Sequence, residues 1–282
     1  MRWDFGKILR QIRLNKGLTQ EEVCGEFLDR SYLARIEGNQ TNPSFEKIDY
    51  IFKQLGLSYG EFEYLCNDYH VDLRAKIIKE FHNYIQFPVP STADMLTKKC
   101  EIILGSQPED LFIQKIRQIL KQTNAPNIET QTERIQIISN IIWNDLSRQD
   151  EWYLQDIELL SNSLYHYPLE QIEILSQLVI KRLQKYENFV KSKELEWNLL
   201  ANISVIYLRN GRKQDALKIS SKNLVIAQAV KRYDFYAQSL IRVGICTRQN
   251  DLIIRGIEIL EVFHEKQLLE SMKSEIEEFY CD

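Results

Sequence analysis

The stretch Leu18-Thr-Gln-Glu-Glu-Val-Cys24, followed by Asp29-Arg-Ser-Tyr-Leu-Ala-Arg-Ile-Glu37, constrains this chain more than any other. It reads as two short helices joined by a tight turn, behind an amphipathic first helix. Thr19 and Glu22 have the T-x-x-E spacing of a capping box, in which hydroxyl and carboxylate each satisfy an orphan N–H at a helix start. Asp29 is suited to cap the second helix, leaving Arg30, Ser31 and Tyr32 in its exposed first turn. In a helix-turn-helix, that turn reaches base edges in the major groove. The pattern therefore implies a surface for duplex DNA.

The flanks extend the pattern into a compact all-α head. A first helix is expected over residues 4–15, with Gly17 as its stop, and the motif helices over 19–25 and 30–37. Pro43 at a first helical position is expected to open a fourth helix, with Phe45, Ile48, Phe52 and Leu55 as its buried stripe and Gly56 at its end. Ser58 and Glu61 repeat the capping-box spacing and open a fifth helix toward Leu65. Residues 1–66 thus hold five short helices and no strand pattern.

Thr19-Gln20 at the opening, Val23 behind it and Ile36-Glu37 at the close resemble the Cro/C1-type (XRE) helix-turn-helix family. The resemblance implies that Gln20 binds phosphate and that Arg30, Ser31 and Arg35 contact bases. Arg10, Tyr32 and Asn39 complete the expected DNA-facing set, with Arg10 on the backbone. By spacing alone, Arg13 and Glu37 are free to face DNA or solvent. The resemblance instead implies an arginine–glutamate pair bridging the first helix to the end of the recognition helix. The turn over 23–28 is one residue shorter than the family's usual form. That shortening, with a long helical chain behind it, resembles the Rgg branch of peptide-pheromone receptors. What it implies is a cytoplasmic regulator whose helical domain binds a short signalling peptide.

Charge gives the DNA reading little help. The net charge is −4, and residues 1–66 carry nine Lys or Arg against ten Asp or Glu. Arg30 and Arg35 on the recognition helix, with Lys7, Arg10 and Arg13 at helical spacing, leave room for a basic face on a domain that is not basic. Modest nonspecific affinity is expected. No apolar run reaches the ~18 residues of a membrane span, and the N-terminus has no signal-peptide core. Five scattered cysteines form no C-x-x-C pair, so neither a zinc site nor a disulfide framework is expected. Cys281 is the one expected to be exposed. His70, His82, His166 and His264 lack metal-ligand spacing and read as structural or surface residues. With no Walker loop, G-x-S-x-G or H-E-x-x-H, neither an enzyme nor a bound cofactor is expected.

Residues 67–282 read as a helical repeat array. Helices are expected near 68–85, 92–104, 108–122, 128–147, 150–164, 169–188, 191–209, 212–230, 234–249, 252–263 and 266–280. Connections this short imply antiparallel neighbours. Ile203, Ser204, Tyr207, Gly211 and Ala216 have the spacing of a tetratricopeptide unit, and Val243, Gly244, Thr247, Asp251 and Gly256 repeat it 40 residues on. In such repeats the first helix of each pair lines a groove suited to extended peptides. Asn198 and Asn202, with Gln238 and Arg242 at the same offsets, are expected to face it, and Arg209 lies near. Amides there would hold a peptide backbone, and the Arg242 fork would take a C-terminal carboxylate. Trp143, Trp152 and Trp197 read as core before ligand platform, and Trp143, beside Asn140 and Asn144, is the one of the three taken as a candidate for peptide binding.

The expectation is a sequence-specific DNA-binding regulator, acting on promoter DNA as a C2 homodimer and controlled by peptide. The alternatives are a regulator whose helical domain only dimerises, and a helical adaptor with a vestigial head.

Overall fold

The computed structural model describes residues 4–86, 88–189 and 192–280. Every regular element among them is helical. The packing separates into two units, residues 1–78 and 79–282, dividing within a single helix, Leu73–Gln86 (α6).

The first unit carries α1 (Phe5–Asn15), α2 (Gln20–Cys24), α3 (Arg30–Glu37), α4 (Phe45–Leu55) and α5 (Tyr59–Cys66). The Thr19 capping box forms as the spacing predicts: its hydroxyl accepts from the Glu22 N–H at 3.2 Å and its own N–H donates to the Glu22 carboxylate at 2.7 Å. Asp29 sits at the N-cap of α3 with an extended backbone, but its side chain makes no capping bond. Ser58 accepts from the Glu61 N–H at 3.1 Å. Phe5, Leu9, Val23, Leu33, Ile36, Phe52 and Phe62 close the core between these helices. At Gly6, α1 meets α3 so closely that a Cβ would stand 2.1 Å from the Ile36 carbonyl oxygen, so only glycine fits.

Two expectations for α4 are corrected. Pro43 lies outside the helix, which begins at Phe45 with Ser44 as its N-cap. Phe45 is 72% exposed, and its place in the buried stripe is taken by Ile51. Helical side chains lean toward the N-terminus. From the first helical position, Phe45 therefore projects past the end of the core, where it stacks on Tyr59 at 5.6 Å.

The second unit continues with α7 (Pro90–Ser106), α8 (Leu111–Thr123), α9 (Gln131–Leu146), α10 (Leu154–Ser163) and a 3-10 turn at Leu164–His166. It then runs through α11 (Leu169–Leu183), a second 3-10 turn (Gln184–Tyr186), α12 (Ser192–Arg209), α13 (Lys213–Val230), α14 (Tyr233–Thr247), α15 (Asn250–Val262) and α16 (Lys266–Phe279). From α12 to α16 each helix packs on the next, and α14 also meets α16. The small residues of the repeat stand where the sequence puts them. Ser204 and Ala216 are fully buried between α12 and α13, with Ser204 Oγ 2.6 Å from Ser220 Oγ. Gly244 and Gly256 hold α14 against α15 in the same way. A Cβ on Gly256 would lie 2.5 Å from Ile241 Cγ1 and 2.8 Å from the Ala237 carbonyl oxygen. Gly256→Ala should therefore force the pair apart and cost about 1–3 kcal/mol, as overpacking does. Thermal unfolding of the full chain measures this, and an unchanged midpoint would mean the helices separate freely.

Trp152 and Trp197 are buried as expected, Trp197 donating to Ser239 Oγ at 3.1 Å and stacking on Phe235. Burial pushes the thiols of Cys66, Cys100 and Cys246 up to about 11, which leaves them protonated and unreactive at neutral pH. Cys281 lies outside the described residues. No described helix is long and apolar enough to cross a membrane.

Candidate DNA-binding surface and candidate ligand cavity

The head's polar centre is a relay of four side chains. Arg13 Nε and Nη2 donate to the two Glu37 oxygens at 2.6 and 2.9 Å, and Arg13 Nη1 donates to the Leu18 carbonyl at 2.7 Å. Both partners are buried, at 6% and 4% exposure, so this pair is internal and faces neither DNA nor solvent. Glu37 holds the Arg13 guanidinium above its ordinary pKa, against the pull of burial. Glu37 Oε2 also accepts from Gln20 Nε2 at 2.9 Å, which fixes the Gln20 amide. Gln20 Oε1 then faces Arg30 Nε at 3.5 Å, the long last link. Because Arg13 neutralises Glu37 inside the domain, the end of α3 shows no bare carboxylate to an incoming phosphate.

Arg30, Ser31 and Arg35 are exposed along α3, and Arg10 is exposed on α1. Tyr32 is half-buried: its ring packs against the core and lies under Lys47, whose Nζ is 4.0 Å from the ring centre. Lys47 escaped the sequence reading. It stands in the first turns of α4, where only the fold brings it to the recognition helix. Asn39 is corrected. Its backbone is left-handed (φ 55°), its Oδ1 accepts from the Gly6 N–H at 2.7 Å, and its Nδ2 donates to Asp4. Both ends of its amide hold α1 to the end of α3, so it is a structural clasp.

In the second unit, four expected residues line one cavity of about 590 Å³: Asn202 and Arg209 on α12, Gln238 and Arg242 on α14. Gln131 and Ile135 of α9, Tyr165 and His166 of the 3-10 turn, and Ser271, Met272 and Glu275 of α16 complete its wall with Val205. Spacing placed Asn202, Gln238 and Arg242 on corresponding faces of α12 and α14, with Arg209 near, but it also placed Asn198 there, which lines another cavity; α16 and the turn enter through tertiary packing. One signal for Glu275 was available. Leu268, Met272, Glu275 and Phe279 fall on one helical stripe, and a carboxylate among apolar residues asks for a buried cation.

Arg242 does not play the part expected of it. Its Nε and Nη2 donate to the Glu275 oxygens at 2.7 and 3.0 Å, so the fork meant for a ligand carboxylate is already filled. Burial works against the charged guanidinium, yet Glu275 holds its pKa above the ordinary value. Arg242 Nη1 is left buried without a partner. Asn202 is also partly engaged, accepting from the Tyr165 hydroxyl at 3.0 Å and donating to the Ser161 carbonyl at 3.1 Å. Arg209 is half-exposed, 3.7 Å from Glu278 and 5.8 Å from the Tyr165 ring centre.

The remaining two expected residues lie elsewhere. Asn198, one turn before Asn202, opens toward the first half of α10, in a cavity of about 380 Å³ with Leu154, Glu158 and Phe189. Trp143 is 37% exposed and lines a third cavity, of about 480 Å³, between α9 and α11. His166 belongs to both the Trp143 cavity and the Arg242 cavity. Its Nε2–H donates to the Ile85 carbonyl at 3.1 Å, and burial holds its pKa below the ordinary value. Among the described residues no group of three or more His, Cys, Asp or Glu is placed to hold a metal.

Residues 9–62 match the family described as helix-turn-helix. The whole chain shares its fold with several solved structures. A Listeria monocytogenes EGD-e protein assigned to transcriptional regulation is 18% identical, with 99% of this chain and 98% of that one covered at a TM-score of 0.75. The SHP pheromone receptor Rgg2 of Streptococcus dysgalactiae is 16% identical, with 96% and 98% covered at 0.65. Bacillus thuringiensis PlcR, solved in complex with the peptide PapR7 and DNA, is 16% identical, with 97% and 98% covered at 0.64. At such identities the likeness establishes the fold: a helix-turn-helix head followed by a helical array.

Proposed function

We propose that this chain is a sequence-specific DNA-binding transcriptional regulator, controlled by a short signalling peptide bound in its helical array. The head, residues 1–66, would read promoter DNA through α3. The array, residues 67–282, would bind peptide and dimerise, and the bound peptide would shift the relative populations of two arrangements of the paired heads. The observation that carries this reading is the gathering of Asn202, Arg209, Gln238 and Arg242 around one cavity, in a chain whose head has Arg30 braced through Gln20. Likeness in fold to PlcR, which was solved with both a peptide and DNA, supports it.

Selection of random-sequence duplexes by the full chain tests the DNA half. One motif should be enriched, as two half-sites if the protein binds as a dimer. Absence of any enriched sequence would favour an adaptor role. On the selected duplex, Arg30→Ala should lose about 1–3 kcal/mol of discrimination at one position, the worth of a bidentate arginine–guanine contact. Equal losses on selected and random DNA would make Arg30 a phosphate contact only.

A further inference from the structure

His166 stands in the walls of both the Arg242 and the Trp143 cavities, which divide their chemistry sharply. All the charge is in the first, on Arg209, Arg242 and Glu275. The second has no Lys, Arg, Asp or Glu in its wall, and offers the Trp143 and Ile174 side chains, 37% and 63% exposed, beside the amides of Gln136, Asn140 and Gln171. A chain long enough to pass His166 would meet both environments.

Within the charged cavity the two arginines are not equivalent. Glu275 cancels the charge of Arg242 and would repel a second carboxylate beside it. What Arg242 still offers is its Nη1 amino group, which is buried and unpaired. A buried N–H donor that lacks an acceptor suits a main-chain carbonyl. Arg209 keeps its charge at the rim, where its contact with Glu278 is long and both side chains are half-exposed. Such a pair is weak and easily exchanged for a better-placed carboxylate.

We propose that the two cavities form one bipartite site for a peptide, with a ligand carboxylate on Arg209, a main-chain carbonyl on Arg242 Nη1, and apolar side chains against Trp143 and Ile174. This rests on the peptide reading above and adds the ligand's polarity to it. The carboxylate is that of the C-terminus or of an acidic side chain, and the two sources are separable.

Affinity selection by the full chain, read by mass spectrometry, tests the proposal with two pools of random octapeptides, one ending in free carboxylates and one in amides. Peptides retained by the wild type should carry a carboxylate at one end and aromatic or branched aliphatic residues at the other. Resynthesised hits should lose about tenfold in affinity when that carboxylate is removed, by amidating the terminus or by replacing an acidic side chain with its amide. Whichever change matters identifies the source. Arg209→Ala should erase the carboxylate preference and keep the apolar one; Trp143→Ala should do the reverse. Retained peptides with no such polarity, or a carboxylate preference that survives Arg209→Ala in a variant that melts like wild type, would overturn the bipartite site and leave peptide binding standing. Retention of no peptide from either pool would sink the peptide reading and this proposal with it.

Discussion

Arg13→Ala is expected to destabilise the head by about 3–5 kcal/mol, because it strands the Glu37 carboxylate in the core. Glu37 is only 4% exposed, and without Arg13 its oxygens keep a single neutral donor, Gln20 Nε2. Glu37→Ala should cost a similar amount for the mirror reason, since Arg13 would keep only its bond to the Leu18 carbonyl. The double variant should lose much less than the sum, because neither charge is then left alone. Hydrogen exchange of head amides in the full chain measures each loss without interference from the array. Additive losses would mean that the two side chains contribute independently. An apolar replacement such as Arg13→Met with Glu37→Leu should restore most of the stability. It should not restore DNA binding, since Gln20 would then have nothing to hold its amide toward Arg30.

The second large effect is expected at Glu275. Glu275→Ala leaves the Arg242 guanidinium buried with its whole fork unpaired, again at about 3–5 kcal/mol. Here the vacated position borders a cavity, which makes a chemical rescue possible. Acetate or formate should bind the exposed fork and raise the melting temperature of this variant in a concentration-dependent way, by mass action on the folded state. Chloride at equal ionic strength should not do so, and the wild type should respond to neither. A variant insensitive to both carboxylates would show that the helices collapse over Arg242 once its partner is gone. Glu275→Gln, which keeps the volume and one acceptor, should lie between the two.

Much of the fold was legible in the sequence because it rests on local rules. The capping box at Thr19 and Glu22 needs only four consecutive residues. The array's helix ends follow from prolines, caps and apolar spacing; most appear within a few residues of expectation, as for 212–230 against the observed Lys213–Val230, and the largest misses are five residues, at the start of α6 (Leu73 against 68) and the end of α11 (Leu183 against 188). Ser204, Ala216, Gly244 and Gly256 could be placed at helix contacts because close approach tolerates only small side chains there. Phe45 was misplaced because periodicity records which face a residue occupies, but not where the core ends along the helix axis.

The sites divide along the same line. Sequence by itself determined which faces of α12 and α14 carry Asn202, Gln238 and Arg242, since 3.6-residue spacing within a helix and a 40-residue repeat both act along the chain; the same rule put Asn198 with them, and packing gave it a different cavity. It could not determine what each side chain was free to do. Arg242 is claimed by Glu275, 33 residues away, and Asn39 by Asp4, 35 residues away. Lys47 reaches Tyr32 only because α4 packs beside the motif. A hydrogen-bonding group has few directions and meets whichever partner packing brings within about 3 Å. That choice is made by helices distant in sequence, and so tertiary structure alone decided which polar groups hold the fold together and which were left open to a cavity.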